Sequence, residues 1–262
     1  MAQKLKNTGR EIAFPLTQPR PPHGSLTILY WNIWYHSTPA EIVAAIAKFN
    51  CDALFLFEAD ANSGLLEKVQ EIGYGGLFTE TNTFGHFPKI RGGVAFFTRL
   101  RTGYIRTVNT ATGRRGLWRG GKESRRCYLE AKLCIPGHAP IVVGGTHASY
   151  NVPFIGKAGY GREINSLLRE ITKHKLRYIF GGDLNAKRNS RLLSSLNDGF
   201  KYLDSGSPWS WPVRRIIHCL PHQLLDHAIA THDLIEAKAE FMKDSSSDHL
   251  PLLVTVPLNK ED

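Results

Sequence analysis

LRYIFGGDLNA, Leu176 to Ala186, reads as a buried strand that stops at a glycine pair and runs into a polar loop carrying Asp183 and Asn185. The same form recurs along the chain. LTILYWNIW (Leu26 to Trp34) is an apolar run with Asn32 near its end, and CDALFLFEA (Cys51 to Ala59) has Glu58 in that place. IVVGGTHA (Ile141 to Ala148) carries His147, and QLLDHAIAT (Gln223 to Thr231) carries Asp226. Between the first two strands, PAEIVAAIAKF (Pro39 to Phe49) has helical spacing, with Pro39 in its first turn and Thr38 as an expected N-cap. Strand, helix, strand is a βαβ unit, so the chain is an α/β protein. In such sheets ligand sites gather at strand ends, where rigid strands meet open loops. So many polar residues at strand ends predict one convergent site.

The remaining elements follow outward. Residues 1–24 are basic and proline-rich and are expected to form a flexible arm ahead of a single domain over 25–262. Residues 62–72 read as a helix. GGVAFFTRL (Gly92 to Leu100) is a strand, expected to form a hairpin with the following TGYIRTVNT. TGRRGLWRGGK, residues 112–122, is a glycine-rich basic loop. RRCYLEAKLCI (Arg125 to Ile135) alternates as a strand and, after the turn PGHAP, returns through IVVGGTHA. Residues 160–175 hold a basic amphipathic helix, RLLSSLNDGF a short helix and SPWSWPVRR a loop. SSSDHLPLLVTV (Ser245 to Val256) closes the chain with a polar loop and a strand. No internal repeat is evident.

The 262 residues carry a formal net charge of +10, a pI of about 9.5, 42% apolar and 21% charged residues. The apolar fraction suffices for a core. The basic excess points to an anionic partner or to a solubilising surface. The four cysteines, Cys51, Cys127, Cys134 and Cys219, form no CxxC pair, which disfavours a zinc site and leaves them as small buried apolar residues. No membrane span and no signal-peptide apolar run is seen, so the expected location is cytoplasmic.

Three local patterns bear chemistry. Asp183 and Asn185, two apart in extended backbone, would present a carboxylate and an amide on one face, able to orient water and hold a phosphoryl oxygen. An Asx-type turn explains the pair equally well. Asp248 and His249 sit together in a loop before a strand, a carboxylate beside the residue whose charge is most easily set near neutral pH. A simple loop hydrogen bond is the alternative. Glu58 ends a run of apolar residues, where a carboxylate is costly unless paired or metal-bound, and oxygen ligands suit Mg²⁺.

Taken in order, Trp31-Asn32, Phe57-Glu58, GGVAFF, Thr146-His147, GGDLNA, Leu225-Asp226-His227 and Ser247-Asp248-His249 resemble the motifs of the endonuclease/exonuclease/phosphatase superfamily. The resemblance spans residues 26–256. It implies a four-layer α/β sandwich, two mixed β-sheets flanked by helices. It also implies Mg²⁺, with Mn²⁺ as an alternative, held mainly by Glu58 with Asn32 and Asp248 close by. By the same resemblance, Asp183 activates water and Asn185 binds the scissile phosphate. His249 stabilises its developing charge, and Asp226 holds His249. His147 matches the DNase I-like branch, where the abasic-site endonucleases more often have tyrosine, and would contact phosphate or act as an acid.

The basic loop residues Arg114, Arg115, Arg119 and Lys122, with Trp118 among them, are candidates for binding a nucleic-acid backbone. Trp209 and Trp211 are candidates for stacking on a base, or for packing on Pro208 and Pro212. The expected activity is that of a metal-dependent phosphodiester hydrolase, a DNA endonuclease or nickase. The alternatives are a phosphatase or phosphodiesterase of lipid head groups or small phosphorylated substrates, and a catalytically silent nucleic-acid-binding module.

Overall fold

A computed structural model describes residues 10–34, 37–83, 90–114, 123–149, 157–187, 190, 194–196, 199–206, 210, 224–243 and 246–258. One sheet is built from β1 (Glu11–Phe14), β2 (Ser25–Asn32), β3 (Ala53–Asp60), β4 (Gly75–Thr83) and β5 (Arg91–Thr98), with β12 (Lys238–Phe241) and β13 (Leu252–Pro257). The other is built from β6 (Arg101–Arg114), β7 (Glu123–Cys134), β8 (Ile141–His147), β9 (Tyr178–Asp183), β10 (Phe200–Tyr202) and β11 (Asp226–Thr231). Their orders are β1-β4-β5-β3-β2-β13-β12 and β10-β11-β9-β8-β7-β6. The pairs β2–β3 and β8–β9 are parallel and the other pairings antiparallel, so both sheets are mixed.

Burial of alternate residues sorts the layers. Leu26, Ile28 and Tyr30 of β2 and Ala53, Phe55 and Phe57 of β3 meet Leu129, Ala131, Ile179 and Ala228 between the sheets. The opposite parity, Leu29, Trp31, Leu54 and Leu56, packs under α1 (Pro39–Phe49) and α2 (Leu65–Glu71). On the far side, Tyr128, Tyr178 and Phe180 pack under α3 (Lys157–Ile171). Strands buried on both faces must be apolar at both parities, which is why β2 and β3 read as continuous apolar runs. The result is the expected four-layer sandwich.

Glycines allow close approach where the site forms. A Cβ on Gly181 would lie 2.7 Å from the Tyr30 ring, and one on Gly145 2.3 Å from the Phe55 ring. These two rings, from the opposite sheet, are stacked with centroids 5.1 Å apart. The Tyr30 hydroxyl is buried with no hydrogen-bond partner among the described residues. A buried polar group left unpaired costs about 1–3 kcal/mol. Tyr30→Phe is therefore expected to stabilise the protein by about 1 kcal/mol, read by chemical denaturation. A clear loss of stability would mean that an internal water satisfies the hydroxyl.

Three expectations change. The hairpin between Gly92–Leu100 and the next segment does not form. β5 lies between β3 and β4, so neither of its edges is free, and β6 crosses to the other sheet to pair with β7. Part of the expected arm is ordered, because Glu11–Phe14 pair with β4 as the sheet's edge strand and bury Phe14. Of the short helix expected over 191–200, the described residues show one 3-10 turn, Ser194–Leu196, and Phe200 already belongs to β10. Thr38 stands at the N-cap of α1 as expected, but its side chain makes no cap hydrogen bond.

Candidate active site

Strand parity delivers most of the site. Residues of even number in β2 and β11 and of odd number in β8 and β9 face the space between the sheets. Continuing those parities to the strand ends brings Asn32, His147, Asp183 and Asp226 to one end of the intersheet cleft. The Asn32 amide donates to Asp183 Oδ2 at 3.2 Å and to Glu58 Oε1 at 3.4 Å. His147 Nε2 lies 3.7 Å from each of the same two oxygens.

Glu58 arrives by a different route. By parity it would point toward α1 and α2 with Leu54 and Leu56. Instead Phe57 pairs with Val94 and Ala59 with Gly93, which leaves Glu58 as the extra residue of a β-bulge with φ of 57°. The bulge re-aims the carboxylate into the cleft and reverses the parity after it, so that Ala59 packs on the helix side. A left-handed backbone at a non-glycine residue costs roughly 1–2 kcal/mol, and such strain concentrates at functional sites.

Asp183 and Asn185 do not share an extended face. Asn185 has φ of 48°, and its N–H donates to Asp183 Oδ1 at 2.9 Å, an Asx turn. Its side-chain nitrogen donates to Ala148 O at 2.9 Å, which keeps the amide beside the cleft. The turn therefore sets both residues, and the extended-strand rationale is corrected.

His249 lies in the loop before β13. Its Nδ1 is 2.8 Å from Asp226 Oδ2, and its Nε2 is 3.8 Å from Asp183 Oδ2. The Trp31 indole donates to His249 O at 3.0 Å, and the Ser247 hydroxyl to Asn32 O at 2.7 Å. Trp31 thus ties this loop to β2, a role that the sequence reading did not assign it. Asp248 accepts from Ser247 at 3.2 Å, and its charge is near enough to act on Glu58.

Electrostatics separate the groups. Burial, reinforced by the charge of Asp226, pushes the Asp183 carboxyl up to about 7. Burial also raises Glu58, helped by Asp248. Burial opposes the charge on His249, but the adjacent Asp226 outweighs it and lifts the imidazole to about 10. Burial likewise works against the Asp226 charge, and the contact with His249 overcomes it and holds that carboxyl below its ordinary range. Near neutral pH the cleft therefore presents an imidazolium anchored by one carboxylate, beside a second carboxyl poised to exchange a proton.

The residues expected to bind substrate lie outside the described residues. This covers the side chain of Arg114 and the whole of Arg115, Trp118, Arg119, Lys122, Trp209 and Trp211.

The comparisons identify the family and the fold. The model of the endonuclease/exonuclease/phosphatase family matches residues 29–249, and the chain belongs to that family. Members of the family are hydrolases acting on phosphoester bonds. Solved structures of the same fold include an endonuclease/exonuclease/phosphatase from Beutenbergia cavernae DSM 12333, at 20% identity and TM-score 0.66 over 90% of this chain and 72% of that one. The human Nocturnin catalytic domain with bound sulfate matches at 15% identity and TM-score 0.67 over 90% of this chain and 95% of that one. D. rerio TDP2 complexed with single-strand DNA product matches at 15% identity and TM-score 0.64 over 89% of this chain and 99% of that one. A search of curated proteins finds no match. Among the described residues no helix is long and apolar enough to cross a membrane.

Proposed function

We propose that the chain is a divalent-metal-dependent phosphodiesterase acting on DNA. The observation that carries the reading is the meeting of Asp183, the Asp226–His249 pair, Glu58 and Asn32 at one end of the cleft. Asp183, with its raised pKa, takes the proton of the attacking water. His249 as imidazolium keeps Nδ1–H on Asp226 and offers Nε2–H to a phosphoryl oxygen, balancing the charge that develops there. Asn185 has a second amide hydrogen beyond the one on Ala148, and it is assigned to the same phosphate. His147 faces the cleft from the side of Glu58 and is assigned to the phosphate or the leaving oxygen.

The donor set fits a hard cation. Glu58, Asp183, Asp226 and Asp248 bring carboxyl groups to one cleft, and His249 balances only part of their charge. Asp183, Asp226 and His249 offer ligand atoms within 4.8 Å of one another. In that set, however, Asp226 and His249 Nδ1 already occupy each other at 2.8 Å. We therefore assign Mg²⁺ or Mn²⁺ to Glu58, supported by Asn32 and Asp248. When bound, such an ion supplies Lewis-acid stabilisation of phosphoryl and leaving oxygens.

DNA as substrate is supported by the net charge of +10, by the basic run from Arg114 to Lys122, and by the fold shared with a TDP2 solved with a DNA product. The test is nicking of supercoiled plasmid by the purified protein. Nicking is expected with Mg²⁺ or Mn²⁺ and is expected to stop in EDTA. Nicking that persists in EDTA would reject metal dependence. If no nicking occurs with either metal while small phosphodiesters are cleaved, DNA is not the substrate.

A further inference from the structure

Ser210 takes no part in the chemistry above, yet it is bonded to the backbone of Asp226 and to that of Leu250, the residue after His249. It is fully buried, and its Oγ accepts the backbone N–H of Leu225 and of Asp226, each at 3.1 Å. Its hydroxyl is also close enough to the Asp226 carboxyl to favour the charged form. Its own carbonyl accepts the N–H of Leu250, the residue after His249, at 2.9 Å. From the other side the Trp31 indole holds the His249 carbonyl.

We infer that Ser210 is a positioning residue that fixes Asp226 and His249 relative to each other. The two meet where sheet pairing ends. Asp226 is the first residue of β11, and His249 precedes the first paired residue of β13. Asp226 is held by its pairing with Asp183, but His249 lies outside any ladder, and the Ser210 carbonyl ties its loop to the Asp226 side across a 2.8 Å contact between side chains of different sheets. A hydroxyl suits the task because one oxygen can accept two N–H groups and still donate its hydrogen to the carboxylate. Threonine reproduces that oxygen, cysteine fills a similar space with a poor acceptor, and alanine has none.

The kinetic arm of the test rests on the phosphodiesterase reading, and the spectroscopic arm does not. In the kinetic arm, Ser210→Ala and Ser210→Cys are expected to lower kcat by about 10- to 100-fold, as displacement of catalytic groups does. KM should stay within about twofold, and Ser210→Thr should recover most of kcat. In the spectroscopic arm, the hydrogen-bonded Nδ1 proton of His249 gives a downfield NMR signal, assigned by its loss in His249→Ala. That signal should persist in wild type and Ser210→Thr, and should move upfield or vanish by solvent exchange in the alanine and cysteine variants. Wild-type kcat with an unchanged signal in a folded alanine or cysteine variant overturns the proposal. So does a loss confined to KM. If alanine does not fold, cysteine carries the test. If neither folds, Ser210 is structural and the proposal falls. A wild-type protein that cleaves no phosphodiester defeats the functional reading alone, and the NMR signal still decides the role of Ser210.

Discussion

Asp183→Asn is expected to lower kcat on a phosphodiester by at least about a thousandfold, because on the proposed mechanism the variant cannot accept the proton of the attacking water. His249→Ala is expected to lose a similar factor through the missing charge at the phosphoryl oxygen. The double variant should fall little further than either single one, since the two groups act on one transition state. Stability should move the other way for Asp183. Its folded pKa is raised, so its ionisation opposes folding as pH climbs through and above its ordinary carboxylate range toward about 7. The amide that replaces it in the variant is never charged. Asp183→Asn should therefore match or exceed the wild-type unfolding midpoint at neutral pH while being nearly inactive. Single-turnover kinetics and thermal unfolding on one preparation check both halves. Near-normal turnover would remove Asp183 from the mechanism, and a large loss of stability would show that its charge supports the fold.

The second large effect is on folding and lies away from the site. Glu130 of β7 has a fully buried carboxylate that meets Tyr104 at 2.7 Å, Arg106 at 2.7 and 3.0 Å, Tyr128 at 2.6 Å and His174 at 2.8 Å. A carboxylate only accepts, so His174 Nε2 carries the hydrogen. Tyr128 and Tyr178 share a further bond of 2.7 Å, and His174 stacks on Tyr178 at 4.2 Å. The network joins β6, β7 and β9 to the segment just after α3. Burial works against the Glu130 charge, but the bonds from His174, Arg106, Tyr128 and Tyr104 prevail and hold the carboxyl well below its usual range.

Glu130→Gln would put two amide hydrogens where Arg106, His174 and two tyrosine hydroxyls now donate to a carboxylate, and Arg106 cannot accept one. The Arg106 side chain is 42% exposed, so no cation is left buried, and the loss is that of charge-assisted hydrogen bonds, about 2–3 kcal/mol, a drop in Tm on the order of 5–10 °C for a chain of this size. A depressed carboxyl pKa gives stability that is fully present above the ordinary carboxylate value and is lost as pH falls through the folded one. The gap between wild type and Glu130→Gln should therefore be constant above about pH 5 and should narrow in acid. Urea unfolding from neutral pH into acid checks this. A gap that does not depend on pH would mean that shape, not charge, is what Glu130 contributes.

Strand parity was legible in the sequence, and with it much of the site. Apolar runs carrying Asn32, His147, Asp183 and Asp226 predicted strands whose ends converge, and the structure brings those residues together. The ordered motifs pointed to the family and the sandwich, which the family match and the two mixed sheets bear out. What parity could not foresee was any break in the regular backbone. Glu58 enters the cleft only because a bulge inserts one residue, and Asn185 only because an Asx turn reverses the chain. The Asx turn is local and was one of the two readings of that spacing, whereas the bulge depends on how β5 pairs with β3, which no local spacing records.

The sequence by itself determined the alternation of apolar and polar residues, and so the strands, their buried faces and the chemical types available at their ends. These follow from side-chain direction along a single strand, a local property. The tertiary structure alone decided which strand lies beside which, as when β5 takes β3 and β4 as neighbours and sends β6 to the other sheet. It alone placed Trp31 and Ser210 on either side of the His249–Leu250 peptide, and it alone covered Glu130 with His174 from the segment just after α3. Trp31 and His249 are 218 positions apart in the chain, and Glu130 and His174 are 44 apart. Such contacts form because buried donors and acceptors must find partners wherever packing brings them, a condition that only the folded chain can meet.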